Sequence, residues 1–125
     1  MSDDQEQYHE MTDENLLKSY SENVKDYKRW IDKEIDLNEG WIEEAEYMSF
    51  ARSEIHEIVE ELDKRKLDVD KSSLKQYDQE WQSWILANTA PNFKLEHSRQ
   101  GIPKNNWWDW IDQLDTLTDV QRSTF

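Results

Sequence analysis

Carboxylates and indole rings are the chemically capable side chains of this chain, and their spacing decides what each set can do. Two acidic pairs, Glu43-x-x-Glu46 and Glu60-x-x-Asp63, recur at helical spacing, and residues three apart share one face of a helix. Such pairs supply the oxygen ligands that Mg²⁺ takes, provided they converge to about 2.1 Å around it. The histidines are His9, His56 and His97. His56 lies in Ser53-Glu54-Ile55-His56-Glu57, where a di-iron helix of the E-x-x-H type needs glutamate at position 53; serine there removes the bridging carboxylate. His56 and Glu60 stand at i,i+4 and can share at most an adventitious ion, while His97 in Glu96-His97-Ser98 has no base or nucleophile beside it. The chain contains no cysteine, which removes disulfides, zinc–thiolate sites and thiol nucleophiles. It has no G-x-S-x-G turn and no glycine-rich phosphate loop, the local signatures of nucleophilic and phosphoryl chemistry. The expectation is therefore no catalytic residue and no cofactor.

The order Glu43-x-x-Glu46, thirteen residues, Glu60-x-x-Asp63 resembles the paired E-x-x-E and E-x-x-D signature of MazG-type all-α nucleotide pyrophosphohydrolases. The resemblance implies Mg²⁺ held by Glu43, Glu46, Glu60 and Asp63 on facing helices, and metal-dependent nucleotide hydrolysis as an alternative function. The residues between the pairs include no helix breaker. On one straight helix at ~1.5 Å per residue the pairs stand about 20 Å apart. They meet only if that helix bends or a second copy aligns. A phosphate-binding basic cluster is missing, so the carboxylates read as solvated acidic faces.

Seven tryptophans accompany a formal net charge of −14, from 29 Asp and Glu against 15 Lys and Arg. An acidic chain with 35% hydrophobic residues tends towards disorder, but each buried indole removes on the order of 200 Å² from water. The chain is thus expected to fold around aromatic residues. Trp81 and Trp84 fall at helical spacing and read as core. In Asn106-Trp107-Trp108-Asp109-Trp110, adjacent indoles on an α-helix project about 100° apart, so Trp107, Trp108 and Trp110 cannot all centre one narrow face. At least one should be partly exposed, which marks the cluster as a candidate contact surface with Trp41 a second.

The elements that must position these residues read as helices, because two glycines and two prolines are too few to turn many short strands. Residues 1–11 read as a flexible acidic leader, 12–115 as a single helical domain and 116–125 as a frayed tail. After the cap and first-turn acids Thr12-Asp13-Glu14-Asn15, apolar residues recur as Leu17, Tyr20, Val24, Tyr27 and Ile31, widened by Leu16, Trp30 and Ile35. A second run holds Ala45, Met48, Ile55, Val59 and Leu62, widened by Ile42, Ala51 and Ile58, and ends in Lys64-Arg65-Lys66, cations that suit a helix C-terminus. Asp36-Leu37-Asn38-Glu39-Gly40 either turns the chain into a long antiparallel hairpin or continues one helix. Leu17 and Ala45 are 28 residues apart, so the heptad phase runs through Asn38 unbroken; a mean helix length of about 11–12 residues favours the hairpin. Shorter Trp-rich helices follow: one capped by Asp70 or Ser73 and ended near Pro91, the other over about 105–115 with Asn105 as cap.

The absence of a basic, apolar N-terminal stretch argues against a signal sequence, no run approaches the ~20 apolar residues of a membrane span, and the reading is a cytoplasmic protein. The acidity disfavours nucleic acid and anionic membranes and favours a basic partner. The leading functional expectation is a non-catalytic helical adaptor, inhibitor or immunity-type protein. It would bind a basic protein through Glu39, Glu43 and Glu46 with Trp41, Trp107, Trp108 and Trp110 as anchors. A DNA-mimic inhibitor is its sharper form. The other alternative is a structural protein that self-associates as a homodimer through its heptad-compatible stripes.

Overall fold

Thr12 starts the long helix α2 (Asp13–Leu37): its hydroxyl accepts the Asn15 amide at 3.1 Å, and its carbonyl accepts Leu16 N–H at 2.9 Å. A side-chain oxygen at this position satisfies an amide that the helix itself leaves open. The structure, a computed structural model, describes residues 3–37, 42–88 and 98–125. These residues form α1 (Asp3–Glu10), α2, α3 (Ile42–Lys64), α4 (Ser72–Asn88), two 3₁₀ segments (Trp107–Asp109 and Ile111–Thr116) and α5 (Asp119–Arg122). No strand is present among the described residues. The all-α class with short Trp-bearing elements after α4 is what composition predicts. No helix is long and apolar enough to cross a membrane among the described residues.

Helices α2 and α3 lie side by side. Arg65, just past α3, bonds Asp13 at the start of α2 at 3.0 Å, while Trp30 late in α2 packs on Tyr47 early in α3 with ring centroids 5.3 Å apart. On a single straight rod Trp30 and Tyr47 would stand roughly 25 Å apart, so the two helices run in opposite directions. The joining residues, Asn38 among them, lie outside those described. Helix α4 instead runs along α2 in the same direction, tied by Tyr20 to the Asp70 carbonyl at 3.2 Å and Lys28 to Glu80 at 2.8 Å.

The buried stripe of α2 is Leu16, Tyr20, Val24, Tyr27 and Ile31. Leu17, expected in that line, is 37% exposed; the four-residue step from Leu16 to Tyr20 keeps the inward direction, and Leu17 is turned out of it. Helix α3 closes on a Schellman motif: Leu67 N–H reaches the Leu62 carbonyl at 3.0 Å, Lys66 N–H reaches Asp63 at 3.1 Å, and Lys66 takes φ 57°. This geometry usually takes glycine.

Three expectations about the shorter elements change. Residues 3–10 form α1, packed on α3, with Tyr8 buried. Arg65 donates to the carbonyls of Tyr8 and His9 at 3.1 and 3.0 Å, holding the end of α1 that lacks intrahelical partners for its acceptors. The region around 105–115 is two 3₁₀ segments separated by Trp110 (φ −125°, ψ 24°); the first starts from Asn106 rather than Asn105, and neither has a side-chain cap. Trp108, Ile111, Leu114 and Leu117, spaced three apart, are all buried, with Trp110 and Gln113 (φ −126°, ψ 23°) departing from helical geometry between them. Residues 118–125 carry α5, whose capping box pairs Thr118 with Gln121 in both directions.

Candidate functional site

At the centre of the bundle, two charged residues occupy positions that the helical pattern reserves for apolar ones. Arg52 follows Met48 by four and precedes Ile55 by three on the buried stripe of α3. Asp78 stands in the same relation to Leu74 and Trp81 on α4. Arg52 is 0% exposed and Asp78 5%, so neither charge can be solvated by bulk water. They neutralise each other through a two-pronged bridge: Arg52 Nε donates to Asp78 Oδ1 at 2.8 Å and Nη2 to Oδ2 at 2.9 Å. The planar guanidinium fork matches a carboxylate in this way. Tyr27 Oη adds a third bond to Asp78 Oδ1 at 2.7 Å, bringing α2 into the network.

Aromatic rings surround this pair. The Arg52 guanidinium carbon lies 4.7 Å from the Trp108 ring centroid and 5.6 Å from that of Trp107, within reach of the negative ring faces. Edge-on contacts then run from Tyr27 to Trp81 (5.8 Å), Trp81 to Trp107 (5.6 Å) and Trp107 to Trp108 (5.7 Å). His56 continues the chain at 4.8 Å from Trp108. Ser49 on α3 fixes the Trp108 main chain by donating to its carbonyl at 2.6 Å. Arg52 Nη1 and Trp108 Nε1 are buried donors with no acceptor among the described residues.

Burial pushes the Asp78 carboxyl up from the ordinary carboxylate value, against the opposing pull of Arg52 and the Tyr27 hydroxyl. For Arg52, burial works against the charge, but the Asp78 carboxylate outweighs it and the net direction is upward. Burial, and then the negative Asp78, hold the Tyr27 phenol well above the ordinary 10.0, and burial also raises Tyr20. A phenol raised on folding favours the folded state below its unfolded value only by staying neutral at no cost; above that value the unfolded chain ionises freely while the folded one cannot. Stability should therefore fall above about pH 10 as unfolded tyrosines ionise. Urea midpoints from about pH 8 to about pH 11 should drop steeply in the wild type and more shallowly in Tyr27→Phe. The variant should also lose about 1.5–3 kcal/mol at the lower end, the range for a hydrogen bond to a charged group. Equal slopes would show that Tyr27 is not the group resisting ionisation.

The predicted contact residues divide sharply. Trp107 and Trp108 are both 0% exposed, so the structure moves these two proposed anchors from the surface to the core. The reason is geometric: a 3₁₀ segment packed against α3 and followed by one on α4 is enclosed on more than one side. Trp110 is the half-exposed member. Its indole N–H donates to the Pro103 carbonyl at 3.1 Å, and Arg99 and Lys104 lie 4.8 and 5.4 Å from its ring. It clamps the 99–104 loop, with Arg99 in turn paired to buried Asp112. Trp41, Glu39 and His97 lie outside the described residues, as does the side chain of Glu43. Glu46 is half-buried on α3.

Among the described carboxylates of the weaker metal reading, Glu46 stays apart from Glu60 and Asp63. Glu46 and Glu60 occupy the same helix, roughly 20 Å apart along its axis. Glu60 meets His56 Nε2 at 2.6 Å and Asp63 meets Lys71 at 3.2 Å. No group of three or more potential metal ligands forms among the described residues.

Among the described residues, an exposed aromatic surface lies elsewhere, in the first part of α3. Tyr47 is 62% exposed and Phe50 53%. Trp30 of α2 leans on Tyr47, with Lys33 5.1 Å from its ring, beside a groove of about 430 Å³ lined by Asp26, Arg29, Trp30 and Lys33. Sequence reasoning missed this patch because, among the aromatic residues, it assigned surface roles to tryptophan alone. It equally passed over Arg52 and Asp78, although a charge on each apolar stripe at steps of three and four was the available signal for a buried pair. Comparison with protein-family models, curated proteins and solved structures produced no match.

Proposed function

We propose that this protein is a non-catalytic acidic interaction protein that binds a basic partner protein through the first half of α3. The observation that carries the reading is Tyr47 and Phe50, 62% and 53% exposed, on the described helix with the largest net negative charge. Helix α3 contains Glu43, Glu44, Glu46, Glu54, Glu57, Glu60, Glu61 and Asp63 against Arg52 and Lys64, and Arg52 is spent internally on Asp78. Large exposed aromatic residues beside charge are the composition of an interface, where a few aromatic anchors carry most of the affinity. Trp30 extends the patch onto α2. Glu46, Phe50, Glu54 and Glu57 also make contacts within the chain. An adaptor, an inhibitor and an immunity-type neutraliser all fit this surface, since each needs affinity without turnover.

The test is capture from the native cell by wild type and by two variants, Tyr47→Ala/Phe50→Ala and Glu43→Lys/Glu46→Lys. The expected partner is basic, is lost as salt rises, and binds the aromatic variant at least ~30-fold more weakly, the equivalent of a hot-spot loss of about 2 kcal/mol. Capture that survives both variants and high salt would sink the reading.

A further inference from the structure

His56 on α3 has an acceptor at each ring nitrogen. Nε2 faces the Glu60 carboxylate at 2.6 Å, one turn on along the same helix, and Nδ1 faces the main-chain oxygen of Phe125. A neutral imidazole carries one N–H, so it can donate to one of these oxygens and must turn a lone pair on the other. The doubly protonated ring satisfies both. The Trp108 indole, its centroid 4.8 Å from that of the imidazole, also favours the cation. Other charged groups on the elements that meet here have partners of their own. Arg52, which touches the same indole, is neutralised by Asp78, and Asp119 pairs with Arg122. Glu57 on α3 and Asp109 on the first 3₁₀ segment also make contacts within the chain.

The Nδ1 bond holds the end of a lightly anchored segment. Helix α5 buries no residue, and Val120 is 78% exposed. Gln82 donates to the Arg122 carbonyl and Trp107 to the Thr124 carbonyl, each at 2.9 Å. Phe125 packs against the core and lines a cleft of about 220 Å³ together with Asp78. We infer that His56 is a proton-operated latch: as imidazolium it holds Phe125 against the core, and as neutral imidazole it stays on Glu60 and lets residues 124–125 go. Histidine is the side chain that changes charge between about pH 5 and pH 8. Which bond survives deprotonation follows from how each acceptor is tethered. Glu60 stands at i+4 on the same helix and keeps its place whatever the ring does. Releasing residues 124–125 returns conformational freedom to the chain, and a segment with few buried apolar contacts opens without the rest of the fold. Release takes Phe125 away from the cleft and opens that side of the core, next to Asp78, to water.

The test is nuclear magnetic resonance of the full chain at about pH 5 and about pH 8. Backbone order parameters of Thr124 and Phe125 should fall from about 0.85, the value of rigid backbone, to below about 0.6 at the higher pH, while those of α3 hold. The ring-nitrogen shifts of His56 should place the remaining proton on Nε2. Glu60→Ala, at a side chain 45% exposed, removes the competing acceptor. In that variant the neutral ring should keep its proton on Nδ1, and residues 124–125 should stay ordered at both pH values. His56→Gln should make their order independent of pH. Unchanged order in the wild type, or a wild-type proton on Nδ1 at the higher pH, would overturn the inference. So would a pH-dependent loss of order that persists in Glu60→Ala or His56→Gln, or one that α3 shares.

Discussion

Arg52→Ala should destabilise the protein by about 3–5 kcal/mol, the range for removing one partner of a buried ion pair. The substitution leaves the Asp78 carboxylate in the interior with only Tyr27 to donate to it, and it opens a cavity between the indoles of Trp107 and Trp108. Arg52→Lys should recover only part of the loss, because an ammonium cannot form the fork to both carboxylate oxygens or stack flat on a ring. Replacing the whole polar network by apolar residues of similar volume, as in Tyr27→Phe/Arg52→Met/Asp78→Leu, should return much of the stability, since it leaves no hydroxyl of Tyr27 without its Asp78 acceptor. That change also removes the buried Arg52 Nη1, which has no acceptor among the described residues. Urea unfolding of the four proteins decides the matter. If Arg52→Ala unfolds within about 1 kcal/mol of wild type, the typical net value of one hydrogen bond, the pair does not organise the core.

Trp107→Ala should also cost a large amount, about 3–5 kcal/mol, as expected for truncating a buried indole. Its ring meets Trp81 and Trp108, faces Arg52, and sends its N–H to Thr124. Trp110→Ala should cost only about 1–2 kcal/mol, from one hydrogen bond and the ring contacts with Arg99 and Lys104. The contrast between neighbouring tryptophans is the informative part. Thermal melts of both variants would reverse the assignment of Trp107 to the core if Trp110 proved the more costly loss.

The long helices were legible in the sequence because their apolar residues recur at steps of three and four over many turns. Tyr20, Val24, Tyr27 and Ile31 fall inward as that pattern requires. The 3₁₀ segments were not, since Trp107-Trp108-Asp109-Trp110 contains no glycine or proline and no local signal for the break at Trp110. Tertiary enclosure decides that geometry, and with it the burial of both Trp107 and Trp108. Residues 116–125 read as a frayed tail for a related reason. The capping pair Thr118 and Gln121 is local and readable, but the bonds from Gln82, Trp107 and His56 come from positions far away in sequence. The central charged pair was the most readable feature left unread: Arg52 and Asp78 each interrupt an apolar stripe, and opposite charges so placed have few places to go but together.

The aromatic chain from Tyr27 through Trp81 and Trp107 to Trp108 has an optical consequence. Rings held edge-on at these separations couple their electronic transitions, so the folded protein should show an intense near-ultraviolet circular dichroism band and migration of excitation between indoles. Both effects require the fixed mutual orientation that α2, α4 and the 3₁₀ segment impose together. A state that kept its helices but lost its packing would retain the far-ultraviolet signal and lose this one. The protein therefore carries, without any label, a spectroscopic gauge of whether its interior is assembled.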